Sequence, residues 1–273
     1  QAEDGIRDIG VTGVQTCALP IYQGLLATNE SLYAWMDEGF TTYAQDRISA
    51  FLEDNKGFPY EATYRGYFSL VKSGREEPLT THADHFNTNS AYSAASYTKG
   101  AVFMEQLGYV MGAAGRDQLL LDYYKQWRFK HPNVSDLIRL AEKRSGMKLD
   151  WYKEYWVNST KTIDYAIDSL YAVDGKTRIR LRRVGLMPMP IDLRIGFADS
   201  TAEWHYMPLD LQYGVKPAED SLSRTVQAPW KWTHEFYTLE CNRKLADIRV
   251  IEIDPTQRMA DVNRSNNKLT LTW

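Results

Sequence analysis

The chain has little cysteine, no long apolar run and no excess of either charge, and each shortage removes a class of function. Its 2 cysteines are Cys17 and Cys241, too few for a disulfide framework. No apolar stretch reaches the ~20 residues of a membrane helix; the greasiest, around Ala101–Gly112, is broken by Glu105 and Gln106. A formal net charge of −3 lacks the basic excess of nucleic-acid binders. What is present is ordinary for a globular protein: 44% hydrophobic and 25% charged residues argue against disorder. The 273 residues suffice for one large domain or two medium ones.

The N-terminus needs separate treatment, because processing and cloning remnants should not enter fold reasoning. Gln1–Asp8 and Val11–Ile21 back-translate, in one frame, to the two constant blocks of a common sequencing-library adapter. Ile9 and Gly10 fall where its variable index would be. Residues 1–21 are therefore expected to be an assembly artefact, with genuine protein from about Tyr22 and a bacterial, metagenomic source. Cys17 goes with that segment, and a single remaining Cys241 says nothing about redox compartment.

From Tyr22 onward the texture is helical. Helical spacing of Trp35, Met36, Phe40, Tyr43, Ile48 and Leu52 predicts a helix over Tyr33–Leu52. Further helices are expected at Tyr60–Lys72, Tyr97–Met111, Arg116–Lys130, Ser135–Ser145 and Asp150–Val157, with Ser135 as an N-cap and Gly146 as a C-cap. Arg75–Ala95 has no period and reads as a loop. Beyond the Asn158–Asp164 boundary, period-two alternation takes over: Thr177, Ile179 and Leu181 against Lys176, Arg178, Arg180 and Arg182, then Ile191, Leu193, Ile195 and Phe197. This predicts antiparallel strands with one buried face. The fold class expected is α+β: a helical domain over 22–163 followed by a small antiparallel β-sandwich over 164–273.

Two segments carry chemistry. In Trp35-Met36-Asp37-Glu38-Gly39-Phe40, two carboxylates sit among apolar and aromatic neighbours, where a charge is costly unless capped, paired or bound. A helix N-terminus alone would also favour them through its dipole. In Tyr97-Thr98-Lys99-Gly100-Ala101, a tyrosine at a helix entrance could donate to an oxyanion, with Tyr92 five residues earlier. Either tyrosine could equally be core.

Together, W-x-D-E-G-F and Y-x-K-G-A resemble the gluzincin zinc aminopeptidases, the group of aminopeptidase N, alanyl aminopeptidase and leukotriene A hydrolase, over about Tyr22–Ser159. The resemblance implies a thermolysin-like catalytic domain, a Zn2+ cofactor and a peptide substrate trimmed from its N-terminus. It assigns Glu38 as third zinc ligand, Tyr97 as the oxyanion-stabilising tyrosine, and Tyr92 and Asp37 to the substrate side. It implies an exported, periplasmic or cell-surface location. In that family an H-E-x-x-H helix supplies the other two ligands and the general base. Counting back nineteen positions from Glu38 puts them at 15, 16 and 19, where this chain has Gln15, Thr16 and Leu19. A catalytic zinc needs three protein ligands, so the chain as given is expected to be inactive and to retain no zinc.

Competing expectations are a catalytically dead relative acting as scaffold or binding protein, and a carbohydrate-binding β module using Trp230-Lys231-Trp232. His82-Ala83-Asp84-His85 has metal-ligand spacing but lies in the expected loop, where a local hydrogen-bonding cluster or a cleft lining serves as well. The arginines of 178–183 are expected to form a solvated face.

Overall fold

The computed structural model describes residues 20–219 and 223–272. The expected adapter segment lies outside the described residues, except for Pro20 and Ile21. Two compact units are present. The first contains 20–108, Ala113–Ser145 and Tyr152–Thr160; the second contains Tyr109–Gly112, Gly146–Trp151 and the chain from Lys161 onward. No helix among the described residues is long and apolar enough to cross a membrane.

The first unit is helical. A short π-helical segment, Pro20–Leu26, precedes α1 (Glu30–Leu52), α2 (Glu61–Ser73) and α3 (Asn89–Ser93). A π-turn, Ala94–Lys99, joins α3 to α4 (Gly100–Met111). Then come α5 (Ala113–Trp127), α6 (Val134–Ser145) and α7 (Asp150–Val157). The last turn of α4 and the first residues of α7 belong to the second unit. A chain of rings forms the core: Trp35 meets Phe103 at 4.8 Å, Phe103 meets Tyr152 at 5.1 Å, and Trp156 meets Tyr67 at 5.9 Å. Such edge and tilted contacts add to simple burial. Tyr152 stays satisfied inside it by donating its hydroxyl to the Phe103 carbonyl at 2.6 Å.

Local signals explain where the sequence reading failed. Arg75–Ala95 is not all loop: Thr88 Oγ1 accepts from Ala91 N at 3.1 Å and caps α3 at Asn89. Tyr92 is therefore helical. Tyr97 sits inside a π-turn with helix on both sides, not at a helix entrance. α6 is capped by Asn133, whose Oδ1 accepts from Ser135 N at 2.8 Å, while Asp136 Oδ2 accepts from Asn133 N at 2.9 Å. The cap is a reciprocal box, one residue pair earlier than the Ser135 cap expected. Gly146 follows α6 with φ +70°, the left-handed terminus glycine favours.

In the second unit, β1 (Tyr165–Val173), β2 (Lys176–Arg183) and β6 (Phe236–Cys241) form one sheet. β5 (Thr225–Val226), β4 (Ala202–Met207), β3 (Ile191–Phe197), β7 (Ile248–Ile253) and β8 (Lys268–Thr270) form another in that order. β1 begins at Tyr165, directly after the Asn158–Asp164 stretch. Asp174 and Gly175, both at positive φ, close the β1–β2 hairpin. One pairing departs from the antiparallel expectation: β4 and β5 run parallel. Along β2, Thr177, Ile179 and Leu181 are buried, as alternation requires. The intervening basic residues are neutralised in pairs, Lys176 with Glu240 at 2.5 Å and Arg182 with Glu235 at 2.7 Å. Trp230 is no ligand platform: it is buried against Tyr165 and Tyr237, and its Nε1 donates to the His234 carbonyl.

Candidate active site

The site is built where α1 crosses the helix carrying Tyr97. Tyr33, at φ −134° and ψ 38°, interrupts α1, so the helix restarts at Ala34 with Asp37 and Glu38 as its fourth and fifth residues. The crossing is set by two glycines. A Cβ placed on Gly39 would lie 2.5 Å from Gly100 Cα and 2.8 Å from the Ser96 carbonyl oxygen. A Cβ on Gly100 would lie 2.8 Å from the Trp35 carbonyl oxygen. The two backbones touch there because neither residue has a side chain. Glu38 is next to one glycine and Tyr97 one turn before the other, so the contact brings them together.

Glu38 is half-buried and accepts from Gln23 Nε2 at 2.9 Å. The Tyr97 hydroxyl lies beside its carboxylate, close enough for each group to shift the other's proton equilibrium. Burial pushes the Glu38 carboxyl above its ordinary value, opposed by the neighbouring Tyr97 hydroxyl and the Gln23 amide. Tyr97 is pushed up to about 12, first by burial and then by the Glu38 carboxylate. Tyr92 feels the same carboxylate and is raised as well, again first by burial. Asp37 points elsewhere, into a buried contact with Thr28 Oγ1. Burial raises it to about 7 against that hydrogen bond. Glu38, Tyr97 and Tyr92 are thus gathered, and Asp37 is turned into the protein beside them.

Three partners escaped the sequence reading. Gln23 and Thr28 carry no local signal; only folding brings them to Glu38 and Asp37. Lys99, noted only as part of the Y-x-K-G-A segment, is fully buried, with Nζ 2.7 Å from Glu76 Oε1 and 3.0 Å from the Ser159 carbonyl oxygen. It anchors the π-turn to Glu76 and to the Ser159 carbonyl.

The donor set does not fit a zinc ion by itself. Glu38 is one carboxylate, and among the described residues no group of three or more His, Cys, Asp or Glu side chains could hold a metal. No H-E-x-x-H occurs anywhere in the chain. The His82 and His85 rings lie 4.9 Å apart, but His82 Nδ1 accepts from Asp84 N at 3.2 Å, capping the short turn Ala83–His85. With its lone pair committed there, a neutral His82 carries its proton on Nε2, which suits a local cap and not a ligand.

Comparison with known proteins finds structural likenesses and one family match. The chain superposes on Legionella pneumophila aminopeptidase A, solved in complex with aspartic acid, with a TM-score of 0.58 and 11% identity, covering 94% of this chain and 27% of that one. A mutant M1 zinc metallopeptidase from Deinococcus radiodurans, bound to a Tyr-Ser-Ala substrate, is 20% identical over 53% of this chain and 32% of that one, at a TM-score of 0.44. The chain therefore spans about a third or less of the length of these structures. No curated protein sequence matches it. The first superposition speaks for fold alone at such low identity, but the family model for the Peptidase family M1 domain matches residues 24–156 directly. Residues 24–156 of the helical part, with Glu38, Tyr92 and Tyr97 inside them, are thus similar to the Peptidase family M1 domain.

Proposed function

We propose that this chain is part of a zinc-dependent aminopeptidase acting on the N-termini of peptides. Glu38 would be a metal ligand of the intact protein, Tyr97 its oxyanion-stabilising phenol, and Tyr92 would line the substrate side, with Asp37 buried behind them on Thr28 instead of lining it. One observation carries the proposal. Two segments 59 residues apart, counted from Glu38 to Tyr97, meet at a backbone contact that sets a carboxylate beside a phenol within an M1 match. A structural helix crossing needs the two glycines but has no need of that polar pair.

The chain by itself is proposed to be inactive, because two histidines and a base absent from its sequence are required. Metal analysis of the purified chain after equilibration with zinc tests this, and an equimolar zinc content with release of an N-terminal residue from a peptide would overturn it. For the parent, the source locus should be read upstream of Tyr22 and the recovered protein assayed. An in-frame H-E-x-x-H ending three residues before Tyr22, with zinc lost in Glu38→Ala, is expected. A frame without the histidines favours the second reading, a family-fold scaffold.

A further inference from the structure

Three separate elements meet at one carboxylate. α1 brings Glu38, the π-turn brings Tyr97, and the Pro20–Leu26 segment brings Gln23. The Gln23 Nε2 to Glu38 Oε2 distance of 2.9 Å is that of a well-made N–H···O bond. The amide has one sensible orientation, since turning it over would set its carbonyl oxygen against a carboxylate oxygen, two acceptors with no proton between them. A half-buried carboxylate with an unfilled oxygen is expensive. A long glutamate beside Tyr97 alone could still swing about its side-chain bonds. A donor from a different element removes that freedom.

We infer that Gln23 is a positioning residue for Glu38, its amide holding one carboxylate oxygen so that the group stays turned toward Tyr97. The inference rests on the reading of Glu38 and Tyr97 as a functional pair and adds a residue that reading does not contain. Gln23 fixes the carboxylate before any ligand reaches it. An arriving cation or ammonium group has to share Glu38 with a neutral donor or displace it.

A double-mutant cycle on the full chain, read by urea unfolding, tests this: Gln23→Leu, Glu38→Ala and the pair together. Gln23→Leu keeps the bulk and removes the donor, and Gln23 is only partly buried, a site that tolerates the change. Q23L is expected to lower the folding equilibrium constant about tenfold when Glu38 is present, the scale of a hydrogen bond to a charged group. With Ala at position 38 the loss should shrink to less than about twofold, since the coupling is gone. Equal losses in both backgrounds, or none in the first, overturn the inference. Side-chain NMR supplies a readout that packing alone would not move. The Gln23 amide pair should shift in E38A, and the Tyr97 ring signals should shift in Q23L. Tyr97 signals unchanged in Q23L would also overturn it. Neither measurement uses zinc or peptide, so coupling in a protein whose parent proves inactive sinks the peptidase reading alone. Peptidase activity without coupling sinks only the role of Gln23.

Discussion

Gly39 and Gly100 bring two helices into backbone contact: a Cβ on Gly39 would sit 2.5 Å from Gly100 Cα, and one on Gly100 would sit 2.9 Å from Gly39 Cα. Real Cβ atoms do not approach backbone so closely, and backbone cannot rotate out of the way as a side chain can. The glycines of the D-E-G and K-G segments are thus the reason Glu38 faces Tyr97.

Gly39→Ala should therefore act on both fold and site. Overpacking of this kind costs about 1–3 kcal/mol, and the helices must separate to admit the methyl group. Urea denaturation should show the loss, and the Tyr97 ring signals should move with it. An unchanged unfolding midpoint would mean that the crossing adjusts without strain.

The buried Lys99–Glu76 pair gives a second expectation. Lys99→Met leaves Glu76 buried without its cation and should cost about 3–5 kcal/mol, whereas Lys99→Met with Glu76→Leu should recover most of it. Chemical denaturation of the single and double variants decides. If the double variant is as unstable as the single, packing around the lysine stem outweighs the charge.

Asp261 links the second unit to pH. It accepts from Tyr165 N at 2.8 Å, Asn263 N at 2.8 Å and Asn267 Nδ2 at 3.0 Å. Burial nevertheless raises its pKa to about 6, the hydrogen bonds opposing. The folded state thus holds this proton more tightly than the unfolded chain. Its stabilising contribution is complete below the unfolded value near 4 and is lost as pH rises through about 6, at most about 3 kcal/mol. Stability measured from pH 4 to 7 should carry that downward component, and Asp261→Asn should remove it from the slope. An identical slope in the variant would assign the pH dependence elsewhere.

The α6 cap separates two neighbouring residues. Asn133→Ala removes the Oδ1 that Ser135 N donates to and should cost about 1 kcal/mol. Ser135→Ala should cost little, since the Ser135 side chain plays no part in the cap. Thermal melts of the two variants would reverse the assignment if the order were inverted.

Much of this protein could be read from the chain. Helical periodicity located α1, α2 and α7, and alternation located β2 and β3, because these elements bury one face and their side chains must repeat with the backbone. The two chemical segments were equally legible, since carboxylates among aromatic neighbours stand out. Boundaries were less so. Thr88 as a cap and Asn133 in place of Ser135 depend on which side-chain oxygen turns back to the backbone, and several nearby residues could have served.

Sequence by itself determined which residues the candidate site offers, Asp37, Glu38, Tyr92 and Tyr97, and that no H-E-x-x-H occurs in the chain. Tertiary structure alone decided which of them face one another. It turned Asp37 inward to Thr28, set Glu38 between Gln23 and Tyr97, and buried Lys99 against Glu76. The physical reason is that these are contacts between elements distant in sequence. Their distances follow from how closely two glycines let the helices approach, and no local pattern of side chains records that.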